Sequence, residues 1–182
     1  MPRMTRPVTA KQQNSRMCFV CGLGNPAGLH AALYEVESGE VVALFTPGEQ
    51  HQGYPGRLHG GIAGTILDET IGRAIMVSSK GTVWGVTVEF TARYRKPVPL
   101  GVEMRAVARI VKDTTRFFEG TGEILLPDGT VAVEAHGRYL RMPIERISDM
   151  YAEREDWRVV ASPDDPATIA VEGPDGRETA AG

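Results

Sequence analysis

Two carboxylates, Asp68 and Glu69, close the apolar run Ile62-Ala63-Gly64-Thr65-Ile66-Leu67, which follows directly on the glycine turn His59-Gly60-Gly61. Burying a charge is costly unless it is paired, hydrated or used, so acids on so greasy a segment mark a site. The start of a helix at the glycines offers backbone N–H groups without partners, which suit an electron-rich oxygen. The carboxylates offer a general base or a nucleophile.

These residues need a long helix to carry them, and the pattern predicts one over roughly Gly61–Val77. Two short strands are expected before it, about Leu29–Val36 and Val41–Phe45, turning at Ser38-Gly39. An irregular link, Thr46 to Leu58, leads into the helix. The clearest strand is Trp84–Tyr94: Trp84, Val86, Val88, Phe90, Ala92 and Tyr94 share one face, while Thr87, Glu89, Thr91 and Arg93 share the other. Pro97 and Pro99 end it. Further strands are predicted at Val102–Val111, Phe117–Leu126 and Thr130–Tyr139, the last two forming a hairpin around Pro127-Asp128-Gly129. The order gives an α+β domain over 17–143, with one antiparallel sheet curled around one apolar helix and the strands after the helix in a meander. Residues 1–16 read as a flexible polar segment, and 144–182 as an extension with a short helix near Ser148–Arg158 and a mobile tail beyond Ala161.

With 182 residues, 42% hydrophobic and 24% charged, the chain has the make-up of one globular domain. A net charge of -3 gives no reason to expect nucleic acid or an anionic membrane as a partner. No run reaches transmembrane length, and Met1-Pro2-Arg3-Met4-Thr5-Arg6-Pro7 has no apolar core behind it, so a cytoplasmic protein is expected. There is no P-loop, no dinucleotide fingerprint and no serine elbow. Cys18 and Cys21 alone cannot fill a four-ligand zinc site, and no strand leads them into a helix as redox chemistry would favour. They read as loop packing, and neither metal nor cofactor is expected.

Leu58-His59-Gly60-Gly61 leading to Leu67-Asp68-Glu69, then Gly85-Val86-Thr87-Val88-Glu89-Phe90 and Tyr94-Arg95-Lys96-Pro97, resembles the hotdog-fold acyl-CoA thioesterases of the phenylacetate-pathway (PaaI-like) type. Cys18-Phe19-Val20-Cys21-Gly22 with Asn25-Pro26 and Gly28-Leu29 looks like one subgroup of them. The resemblance covers about 17–143. It implies a hotdog fold, thioester hydrolysis without a cofactor, Asp68 as the catalytic carboxylate, and dimers that share active sites and can pair into tetramers.

The spacing of the residues bears on that implication. Polarising a thioester carbonyl falls to the Gly61 N–H, and bare backbone at Gly60 and Gly61 lets the acyl group approach. Gly61 and Asp68 share a helix face but lie on the order of 10 Å apart along the axis, so one carbonyl cannot touch both. A two-fold, antiparallel second copy resolves this by setting Asp68 of one subunit against Gly61 of the other. Glu69 competes with Asp68 but points about 100° away, and either acid could be merely satisfied at a dimer seam. Thr87 aligns with a hydroxyl that orients the water or the carboxylate in relatives, or is a plain strand residue. His59 touches the carbonyl or shapes the turn. Relatives often carry Asn where this chain has Gly53, leaving Gln52 or His51 as substitutes. Arg57, Arg93, Arg95 and Lys96 are candidate cations for the coenzyme A phosphates, or ordinary solvated charge. Two other uses remain open: hydration or dehydration of an acyl thioester, with His59 and a carboxylate, and non-catalytic binding of an acyl-CoA or small ligand.

Overall fold

The computed structural model describes residues 4–148 and 157–171. The helix α1 runs Gly60–Ser79. Its Ala63, Ile66, Leu67, Ile71, Ala74 and Ile75 recur at i, i+3 and i+4 and are all buried. His59 caps the start, its Nδ1 accepting the Gly61 N–H at 3.0 Å, and Lys80 ends the helix in the left-handed region at φ 52°.

The strands are β1 (Thr5–Lys11), β2 (Asn14–Ser15), β3 (Ala32–Val36), β4 (Val41–Phe45), β5 (Gly85–Tyr94), β6 (Met104–Asp113), β7 (Phe117–Leu125), β8 (Val131–Arg141), β9 (Trp157–Arg158) and β10 (Thr168–Ala170). Among the described residues, eight of them form one antiparallel sheet in the order β10-β1-β3-β4-β6-β7-β8-β5, and β2 pairs with β9. The meander expected after the helix holds for β6, β7 and β8, but β5 lies beyond β8 instead of beside β6. The reason is that β4 already occupies that edge of β6, from Val41↔Ala108 to Phe45↔Met104. The chain therefore leaves β5 through Pro97 and Pro99, passes the start of α1, where Leu58 N–H donates to the Val98 carbonyl, and enters the sheet far from β5. The last strand in the order, β5, is left with one edge unpaired by the described residues.

Ile66, Leu67, Ile71 and Ile75 pack on Leu33, Ala43, Ala106, Phe118, Ile124 and Tyr139. Each such aliphatic side chain contributes about 1.5–3 kcal/mol when removed from water. The helix can lie this close because β7 carries Gly120 and Gly122: a Cβ at these positions would come within 2.6 and 3.0 Å of the Ile71 side chain. On the opposite face of the sheet Tyr34, Val36, Val42, Val107 and Leu125 cluster with Ile169 and Val171.

Two expectations change. Residues 5–11 are not loose but form β1, held to β3 by main-chain pairing such as Val8↔Val36 and Lys11↔Tyr34, which their polar composition conceals. Nor is the chain beyond Ala161 without structure: Thr168–Ala170 pairs with β1, with Ile169 and Val171 buried. Of the helix expected over 148–158, residues 149–156 lie outside the described set, and Trp157–Arg158 is strand. A single helical turn, α2 (Ile144–Ile147), precedes it.

Candidate active site

Asp68 leaves α1 on the side of β5 and β8. Thr87 Oγ1 donates to its carboxylate, 3.0 Å from Oδ1 and 3.2 Å from Oδ2. The Tyr139 hydroxyl donates to Oδ1 at 3.0 Å and lies equally close to the Asp68 carbonyl oxygen. Phe118 stacks on the Tyr139 ring, centroids 5.0 Å apart, and fixes its angle. Burial raises the Asp68 carboxyl above the ordinary carboxylate range; the two hydroxyl donors oppose this, and the charge of Glu69 adds to it. Burial, and then the charge of Asp68, also raise the Tyr139 phenol, so it stays protonated and remains a donor.

Thr87 reaches Asp68 through a break in the strand alternation. The expected pattern put it on the face opposite Phe90 and Ala92, which pack on the core. In the structure β5 pairs Thr87 with Tyr139 but Glu89 with Arg138, so Val88 is an extra residue in a bulge. The bulge turns Thr87 to the helix side and leaves Val88 half-exposed at 52%.

Glu69 points elsewhere. Its Oε1 accepts from Arg73 Nε at 2.7 Å, and both residues, with Asp68 and Thr87, line a cavity of about 930 Å³. Trp84, Met76, Ile144, Ile147 and Trp157 supply apolar wall, the two indole rings lying 5.2 Å apart. The glycine turn does not line this cavity. Gly60 and Gly61 are exposed at the start of α1, about 10–12 Å from Asp68 at 1.5 Å per residue. There the Gly61 N–H is already taken by the ring of His59, and the Tyr94 hydroxyl donates to the Gly60 carbonyl at 2.7 Å. One chain thus separates its acid from its helix start, as the spacing requires.

The remaining residues divide between loop and surface. His51 is buried with both ring nitrogens occupied: Nδ1 accepts from Gly48 N–H and Nε2 donates to the Ala27 carbonyl, both at 2.9 Å. It holds the loop before the helix and presents nothing to the cavity. Gln52 Oε1 accepts the Gly56 N–H at 2.8 Å within the same loop. Gly53 abuts the glycine turn, where a Cβ would come within 3.1 Å of His59 Cα. Arg95 pairs with Glu134 at 2.7 Å on the surface. Arg57 and Lys96 meet in a second hollow with Pro97, Pro99 and Asp128, past the Tyr94 end of β5. Arg93 is exposed on β5, its register partner Glu134.

Sequence reasoning missed Tyr139, Tyr94 and the Trp84–Trp157 wall. The usable signal for Tyr139 was its phase in β8: with Val133 and Ala135 it faces the helix, and a phenol buried there needs an acceptor. Trp157 offered none, because it reaches the site from the far end of the chain.

Residues 55–140, which carry Asp68, Thr87 and Tyr139, match the family model described as thioesterase superfamily. Over 91 residues the chain is 35% identical to the acyl-coenzyme A thioesterase THEM4 of Mus musculus, covering 50% of this chain and 36% of that protein. The chain spans about a third of the length of this relative and of its Xenopus laevis and Rattus norvegicus counterparts. A crystal structure of a thioesterase superfamily protein superposes with a TM-score of 0.62 at 28% identity, covering 69% of this chain and 60% of that one. The Escherichia coli PaaI protein of the phenylacetic acid degradation operon shares the fold, with a TM-score of 0.57 at 18% identity over 63% of this chain and 80% of its own. The sheet wrapped on one long helix is therefore the hotdog arrangement that the resemblance implied. Among the described residues no helix is long and apolar enough to cross a membrane.

Proposed function

We propose that this chain, whose residues 55–140 match the thioesterase superfamily, hydrolyses an acyl-CoA thioester to the free acid and CoA at a site shared by two subunits. The observation that carries this reading is the Asp68 carboxylate, raised by burial yet gripped by Thr87 and Tyr139 at the edge of a partly apolar cavity. Oδ1 accepts from both hydroxyls, so Oδ2 is the less engaged oxygen and the one that takes a proton from water. The hydroxide so formed adds to the thioester carbonyl carbon. As the tetrahedral intermediate collapses, the carbon–sulfur bond breaks and Asp68 returns its proton to the departing thiolate.

The negative oxygen of that intermediate needs a donor, and in its own chain Asp68 has the Gly61 N–H about 10 Å away. The free edge of β5 supplies a way to bring in another. Ten residues of strand with Val86, Val88 and Tyr94 exposed are a template for pairing. Two β5 edges paired antiparallel about a two-fold axis near Phe90-Thr91 set Thr87 of one subunit across from Tyr94 of the other. Asp68 then faces the partner subunit's Gly61, whose N–H becomes available once the His59 ring swings aside. The same operation carries Arg57 and Lys96, at the Tyr94 end of β5, to the mouth of the neighbouring site, where CoA phosphates are expected.

Subunit mixing tests this. Asp68→Ala and Gly61→Pro chains are each expected to be inactive in a thiol-release assay across short, long and aromatic acyl-CoAs. A mixture reassociated in equal amounts should regain about a quarter of wild-type turnover, since half of the dimers are mixed and each holds one intact site. No recovery on mixing would remove the shared site, and full turnover by Asp68→Ala would remove its base.

A further inference from the structure

The loop that brings Cys18 and Cys21 together has no part in the proposed hydrolysis. Its turn is tight: Gly22 N–H donates to the Cys18 carbonyl at 2.9 Å, and a Cβ on Gly22 would sit 2.4 Å from that oxygen. A glycine is required there, and the turn it permits places both sulfurs on one side. Both thiols are free, and the two Sγ atoms and a Glu69 carboxylate oxygen all lie within 4.8 Å of one another. Cys21 is fully buried and Cys18 only partly so.

The donors around the sulfurs favour negative charge. Cys18 Sγ accepts the Val20 N–H at 3.3 Å. Cys21 Sγ accepts the Ser15 N–H at 3.3 Å and Arg73 Nη2 at 3.2 Å, and Asn14 Nδ2 ties the Cys21 carbonyl down at 2.6 Å. The Cys21 thiol donates to the Cys18 sulfur, which holds Cys18 well below the usual thiol range and raises Cys21, while the nearby Glu69 charge works against the first effect. A metal ion is the obvious rival occupant of two thiols and a carboxylate. Arg73 stands in its way: its guanidinium bonds Glu69 and Cys21 together, donates through Nη1 to the Gln13 carbonyl at 2.7 Å, and lies 4.6 Å over the Trp157 ring. The cluster already contains its cation.

We propose that Cys18 and Cys21 are a thiol–disulfide exchange site, with the more accessible Cys18 as the attacking sulfur and the buried Cys21 as the resolving one. The co-reactant is a low-molecular-weight disulfide. The Cys18 thiolate attacks one of its sulfurs, forming a mixed disulfide and expelling one thiolate. Cys21 then loses its proton to solvent and attacks Cys18 Sγ, expelling the second small thiol. Two protein thiols are oxidised to one disulfide, and one small disulfide is reduced to two thiols. The turn lacks the strand-to-helix setting that redox cysteines favour; instead the Val20 N–H faces the sulfur of the attacking Cys18, while the Ser15 N–H and Arg73 face Cys21 and stabilise its thiolate as it forms.

Oxidised glutathione is the probe, applied to the full folded chain and read by intact mass. The wild type is expected to lose both free thiols and two hydrogens, to stay un-crosslinked on a non-reducing gel, and to recover with dithiothreitol. Cys21→Ser should trap one glutathionyl group on Cys18, whereas Cys18→Ser should take up none. In the wild type Cys18 should alkylate with iodoacetamide at a lower pH than it does in the denatured chain. The proposal is overturned if the folded chain keeps both thiols where the denatured chain loses them, if glutathione settles on Cys21, or if native mass finds stoichiometric zinc on the two sulfurs.

Discussion

Replacing Tyr139 with Phe removes one oxygen and tests the role of Asp68 more sharply than removing the acid. The ring keeps its stack on Phe118, so the loss is confined to the hydroxyl that donates to Oδ1. A hydrogen bond to a charged group is worth roughly 1.5–3 kcal/mol, or about 10- to 150-fold. Thr87 remains on the carboxylate, and the Tyr139 hydroxyl is shared with the Asp68 carbonyl, so the lower part of that range applies, about 10- to 30-fold. The bond favours the ionised acid, and removing it raises the Asp68 carboxyl further. Because hydrolysis needs the ionised form, the loss falls on the acid limb of the kcat/KM profile, which moves toward neutral pH. On the alkaline plateau Asp68 is ionised in both proteins and much of the rate returns. The measurement is thiol release from one acyl-CoA across the pH range, with Tm followed in parallel. A uniform loss at every pH, tracking a lower Tm, would make Tyr139 a packing residue. An unmoved acid limb would take Asp68 out of the base role.

Asp68→Asn should abolish hydrolysis, roughly 10²- to 10⁴-fold for a lost general base, and yet raise Tm at pH 7. The folded state holds this carboxyl above its unfolded value, so ionised Asp68 opposes folding; the Tm difference from wild type should begin to shrink as pH falls to the folded titration and vanish below the unfolded one, and a lower Tm for the variant at pH 7 would contradict the burial argument. Charge removal at Arg57 and Lys96 together should raise KM for acyl-CoA roughly two- to tenfold at low salt, as two exposed ion contacts allow, with the difference fading at high ionic strength. A salt-independent effect, or a change in kcat alone, would show that the second hollow does not meet the phosphates.

What could be read from the residues followed from strict periodicity. The apolar i, i+3, i+4 rows of α1 and the alternation in β7 and β8 gave those elements to within a few residues, and Asp68 with them. The bulge at Val88 was not legible, because a single extra residue inside a good alternating run leaves the pattern intact while reversing the face of everything before it. Alternation alone puts Thr87 on the face away from the helix, and only the resemblance points to it. Likewise β1 and β10 are built by main-chain pairing between polar stretches far apart in sequence, which no local pattern encodes. The hold of His51 on its loop was not legible, since nothing in the sequence reveals that the carbonyl of Ala27 lies beside its ring.

The glycines of α1 bear on why its chemistry is divided. Gly60, Gly61, Gly64 and Gly72 lie in one helix, each costing about 1 kcal/mol relative to alanine in a helix interior and less at the first turn. Gly72 has a reason within its own chain, because a Cβ there would press to 3.2 Å on the Tyr139 ring that holds Asp68. The same Cβ at Gly60 or Gly64 would meet only ordinary contacts with Tyr94 and Phe90, at 3.5 Å and beyond. Gly60 is exposed and Gly64 half-buried, beside a row that runs from exposed Gly61 and Thr65 to half-buried Asp68, on the side of the β5 edge. Glycine at these positions lowers helix propensity without being demanded by its own chain, and becomes useful where something must come close. In the proposed dimer, a substrate carbonyl at the helix start and a second, antiparallel α1 against Gly64 would both require that closeness. There, a two-fold axis through β5 would turn both features, the glycine positions and the half-buried carboxylate, to one reaction.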